Sequence, residues 1–181
     1  MSLHRTGSPG WWATKVRQFR VHVFARVSVA ERAALAGWVP VPLLALFDAM
    51  PVADRRHGLD VVASLRAAGG GDDRELLLAG LLHDCGKSRP PAANGQARGV
   101  GLVARVAWSL GEAFGPWVIR AAGRLPGMAP ALVQLRDHAL LSAGLVLAAG
   151  GAPRTAELIR DQSDVPVDRA GVLLRRADEA N

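Results

Sequence analysis

The segment Glu75–Lys87, ELLLAGLLHDCGK, constrains the fold more than any other part of the chain. Leu76, Leu77, Leu78, Ala79, Leu81 and Leu82 leave almost no polar face, and a helix that is apolar all round has to be buried. Asp72, with Glu75 three residues on, reads as a capping pair, and Gly86 as a left-handed terminus. The apolar run ends in His83-Asp84. An imidazole and a carboxylate at the end of a buried helix are costly unless something compensates them. A divalent cation does so, because neutral imidazole and carboxylate are both good ligands. A His–Asp hydrogen bond inside the core does so too, and the dipeptide alone leaves the two readings open.

The surroundings of that segment are helical in pattern. Half of the 181 residues are hydrophobic, tyrosine is absent, and strand-like alternation is scarce, so a single all-α domain is expected. Ser28 and Glu31 form a capping box for a short helix ending near Gly37, and Pro40 and Pro42 lead into LLALFDAM. Pro51 opens VADRRHGLDVVASLRAAGGG, which stops at three glycines and carries His57 about a turn inside. A Pro/Gly/Asn loop over residues 89–99 follows the His-Asp helix. Helices are expected from about Val100 to Phe114 and after Pro116, followed by a turn over residues 126–130. Asp137 is placed to cap a helix containing His138, Pro153 opens a short helix, and Asp168 starts a last one that delivers Asp178.

The net charge of +6 is concentrated at the N-terminus. Arg5, Lys15, Arg17, Arg20 and Arg26 lie in the first thirty residues without an acid, while the remainder is nearly balanced. On a helical reading of residues 12–27, Trp12, Val16, Phe19, Val23 and Val27 share a stripe, although Val21–Val29 also alternates like a strand. Such a basic segment can make weak contact with a polyanion or an anionic membrane surface, or pack on its own domain with its arginines solvated. The lone Cys85 excludes an internal disulfide and a cysteine-based zinc site. No apolar run reaches a membrane span and no signal-peptide core is visible, so a cytoplasmic location is expected.

Three histidines lie within helical segments: His57, His83 and His138. RRHGLDVV, then LLHDCGK with its histidine 26 residues after His57, then an acid near the end of a late helix, resembles the HD superfamily of metal-dependent phosphohydrolases. PLLALF and DHALLSAGLVLAAG are similar to its small bacterial single-domain branch. The resemblance covers about residues 51–181, leaving residues 1–50 as a basic N-terminal helical extension. It implies an all-α HD-type bundle and one divalent ion (Mn, Fe, Ni, Co, Zn or Mg) held by His57, His83, Asp84 and Asp178. Asp161, Asp164 and Asp168 compete with Asp178 for the last place. Two-metal members carry further histidines where this chain has Arg160-Asp161-Gln162-Ser163, so a single ion is expected. The resemblance further implies hydrolysis of a phosphate ester, of a nucleotide, by attack of metal-bound water. Asp84, Lys87 and His138 would be the catalytic residues. Lys87 would offset phosphoryl charge, or merely favour a helix C-terminus. His138 would be a phosphate contact or proton donor, and Arg56 is a weaker substrate candidate. The alternative within the same fold is a non-catalytic HD domain that binds a nucleotide or a partner protein.

Overall fold

A computed structural model describes residues 25–88, 100–163, 166 and 168–181; the basic segment 1–24 and residues 89–99, where a loop is expected, lie outside them. Among the described residues there are ten α-helices and no strand. They are α1 (Val29–Leu35), α2 (Val41–Ala49), α3 (Val52–Leu65), α4 (Arg74–Leu82), α5 (Leu102–Phe114), α6 (Pro116–Ala122), α7 (Met128–Arg136), α8 (His138–Ala148), α9 (Pro153–Arg160) and α10 (Arg169–Ala180).

Helix α4 is the centre of the bundle. Every residue from Leu76 to Leu82 is buried, as an apolar surface on all sides requires. It touches α2, α3, α9 and α10. Leu35, Leu43, Leu44 and Phe47 of α1 and α2 join the same core, as do Val146 of α8, Ile159 of α9 and Leu174 of α10. A smaller cluster of Val100, Ala104 and Leu135 binds α5 to α7.

Capping follows the sequence in part. Ser28 and Glu31 make the expected reciprocal box. The cap of α4 is Asp73, whose carboxylate accepts from the Leu76 N–H at 3.0 Å, and not Asp72. Asp168 caps α10 through the Gly171 N–H at 2.7 Å. Asp137 precedes α8 but makes no side-chain cap, because its carboxylate is held by Arg136. Helix α7 starts inside the turn expected over residues 126–130 and runs on to Arg136. Pro130 falls in its first turn, where the missing N–H has no intrahelical partner to lose.

Among the described residues no single helix is long and apolar enough to cross a membrane. The pair α7 and α8 has the composition but is bent by 71°. Its Leu132, Leu135, Ala139, Ser142, Ala143 and Val146 are buried in the fold.

Candidate metal centre

Three helices converge on one point. On α3, Asp54, Gly58, Val61 and Leu65 are buried at helical spacing, which puts His57 on the same stripe. Gly58 permits the approach to α4: a Cβ there would stand 2.6 Å from the Leu81 carbonyl oxygen. On α10, Ala170, Leu174 and Ala177 face the core, so the following Asp178 sits at its edge. His83 lies just past the last turn of α4, fully buried.

The result is a compact donor set. His57 Nε2 is 2.9 Å from Asp178 Oδ1, and His83 Nε2 is 3.4 Å from the same oxygen. The ligand atoms of His57, His83 and Asp178 all lie within 4.8 Å of one another. Asp84 stands beside them, its Oδ1 at 3.5 Å from His83 Nε2 and 3.6 Å from His138 Nε2. Its Oδ2 receives the Lys87 ammonium at 2.7 Å.

Backbone partners orient the imidazoles. His83 Nδ1 lies 3.0 Å from the Gly80 carbonyl and His138 Nδ1 2.7 Å from that of Leu135. A carbonyl can only accept, so both Nδ1 atoms carry hydrogen and both Nε2 atoms face the carboxylates. This is the arrangement that fixes a ligating imidazole from behind.

Burial alone would push the His83 pKa down, but the Asp84 and Asp178 carboxylates outweigh it and raise it to about 9. Burial works against the Asp84 charge, yet His83, Lys87, His57 and His138 hold its carboxyl far below the usual range. Asp178 is likewise held low, against burial, by its bonds to His57 and His83. His138 moves the other way: burial and the Lys87 charge lower its pKa, leaving a neutral imidazole with Nε2 free to accept.

The turn after α4 is also tied down. Gly86 N–H donates to Ser142 Oγ at 2.8 Å, and Gln134 Nε2 donates to the Gly86 carbonyl at 3.0 Å. Gly86 is not left-handed. It is needed because a Cβ would meet the His138 carbonyl oxygen at 2.5 Å and the Ser142 nitrogen at 2.7 Å. Cys85 is a buried thiol with its pKa pushed up to about 12 by burial, consistent with a packing role.

Of the competing acids, Asp161 pairs with Arg160 and Asp168 caps α10, while Asp164 lies outside the described residues. Arg56 is engaged by Glu31 and Asp60. Sequence reasoning missed Asp54 and Arg105, a bidentate pair with both contacts at 2.7 Å. It also missed the supports from Ser142 and Gln134. An acid in the first turn of a helix looks like ordinary dipole compensation, so only its 3 % exposure sets Asp54 apart.

These residues suit a divalent cation. Asp84 Oδ1 is buried without a hydrogen-bond partner, the Nε2 atoms of His83 and His138 stand 3.5 and 3.6 Å from it, and the nitrogen and oxygen donors are those of first-row divalent ions. His57, His83 and Asp178 could hold a metal ion. Comparison of the chain with protein-family models, curated proteins and solved structures finds no match.

Proposed function

We propose that this chain is a metal-dependent phosphohydrolase of the HD type, acting on a phosphate ester of a nucleotide. The observation that carries the reading is the convergence of His57, His83 and Asp178 on one another from α3, the end of α4 and α10, with the buried Asp84 Oδ1 3.5 Å from His83 Nε2. The nucleotide rests on the resemblance of RRHGLDVV and LLHDCGK alone.

His57, His83, Asp84 and Asp178 would hold one divalent ion. Bound there, it would supply Lewis acidity at a phosphoryl oxygen and acidify a water molecule. The remaining work falls to the chain's own side chains. Lys87 keeps its ammonium 2.7 Å from Asp84 Oδ2, a position from which it can also offset charge on a phosphoryl oxygen. His138, neutral and anchored at Nδ1, offers Nε2 as a proton acceptor on the Asp84 side.

A non-catalytic HD domain that binds a nucleotide or a partner is the second reading. It draws on the Lys87–Asp84 ion pair, which offsets one carboxylate without a cation, and on the His57–Asp178 hydrogen bond, which already engages two of the would-be ligands.

Elemental analysis after manganese loading, paired with phosphate release from a panel of nucleotides, separates the two. The expected result is about one ion per chain and turnover in the wild type, with both lost in a folded His83→Ala variant. Undiminished turnover in His83→Ala would sink the mechanism, and a chain that takes up no metal would favour the binding module.

A further inference from the structure

Asp54 and Arg105 take no part in the donor set, yet they form a largely buried ion pair next to it. Asp54 is 3 % exposed and lies on α3 three residues before His57. Arg105 on α5 grips both of its oxygens at 2.7 Å. The same guanidinium donates through Nε to the Val100 carbonyl at 3.1 Å. Val100 N–H in turn donates to the Lys87 carbonyl at 3.0 Å, and Lys87 reaches Asp84 Oδ2. The bonds therefore run without a break from the turn that bears His57, through Arg105 and Val100, to the lysine beside Asp84.

A buried ion pair is a poor source of net stability, since apolar residues of similar volume commonly serve as well. What a bidentate guanidinium–carboxylate pair does supply is orientation. We propose that the Asp54–Arg105 pair is a positioning device. It sets the first turns of α3 against the backbone of Lys87, so that the lysine occupies Asp84 Oδ2 and leaves Oδ1 to the donor set. Asp54 and Arg105 touch neither the ligand atoms nor a substrate in this role; they act through His57 and Lys87. The inference rests on the metal-site reading for its consequence, and on the bond path alone for its geometry.

The test is the double variant Asp54→Leu/Arg105→Met in the full chain, which removes both charges without orphaning either. Thermal unfolding, calorimetric titration of the metal-free protein with manganese, and imidazole nitrogen–proton NMR correlations of His83 and His138 are measured together. The melting temperature should be retained or raised. Manganese should bind about 10–100-fold more weakly, as when a ligand's outer support is lost, and the His83 and His138 resonances should shift. A stable variant with unchanged manganese affinity and superimposable imidazole resonances would overturn the proposal.

If the wild type itself binds no manganese, the metal reading fails. The imidazole resonances of the metal-free proteins then decide the positioning role by themselves. Should the double variant not fold, Arg105→Lys keeps the charge but loses the planar fork. It is expected to show the same imidazole shifts, and wild-type resonances in that variant would overturn the proposal equally.

Discussion

Gly86 shows how a single residue can be read correctly as important and incorrectly as to why. In sequence it looks like a helix terminator, because glycine after an apolar run usually adopts left-handed geometry. Its actual role is close approach: the His138 carbonyl and the Ser142 nitrogen leave no room for a Cβ. Close packing of backbone against backbone leaves no local trace in sequence, whereas chemical identity does, which is why His57, His83 and Asp84 stood out as candidates in the sequence and Gln134 and Ser142 did not. Asp178 was legible only with the resemblance in hand, since it lies 121 residues from the histidine it bonds. Gly86→Ala must push α8 away from the turn that carries Asp84. Overpacking of this kind costs about 1–3 kcal/mol. Urea unfolding should show a loss in that range, accompanied by weaker manganese binding; a variant as stable as the wild type would mean that α8 yields without cost.

At the scale of elements, α4 was the most predictable part of the chain, although both its ends were displaced: the cap is Asp73 rather than Asp72, and the helix stops at Leu82, before the expected terminus at Gly86. An all-round apolar surface admits one location, the centre, so its burial followed from composition without knowledge of its neighbours. Helix α7 had no such signature. Pro126 before it and Pro130 within it read as turn residues, and the first-turn placement of Pro130 is what the helix can accommodate. The central position of α4 has a measurable consequence. Leu81 is fully buried, and its carbonyl is the surface on which Gly58 rests. Leu81→Ala should therefore destabilise the protein by about 2–5 kcal/mol, the range for leucine truncation in a closed core. The expected observation is a lower urea midpoint with an unchanged slope. A loss below about 1 kcal/mol would show that neighbouring leucines collapse into the space.

The whole molecule divides its interactions by depth. Leucine, valine and alanine hold the centre, and ion pairs join helices at the rim: Arg32 to Asp48, Arg154 to Asp73 and Glu75, and Arg56 to Glu31 and Asp60. Exposed pairs of this sort contribute little individually, but one of them has a distinct pH signature. Glu31 accepts from Arg56 through one oxygen and from Ser28 through the other, thereby linking the cap of α1 to α3. The Arg56 bond, then the bonds from the Ser28 backbone and hydroxyl, lower its pKa from 4.5 to about 2. A carboxyl with a depressed folded-state pKa favours the folded state wherever the unfolded chain would bind more protons. Its contribution is thus complete above pH 4.5 and is lost as the pH falls toward about 2. Glu31→Gln keeps an acceptor for the Ser28 cap and removes only the charge. The melting-temperature gap between wild type and this variant should be constant from neutral pH down to about pH 5, then narrow steadily on acidification and respond to added salt. A gap near zero at every pH would mean that Arg56 bonds the neutral amide as well as the carboxylate, so that α1 is held to α3 by hydrogen-bond geometry rather than by charge.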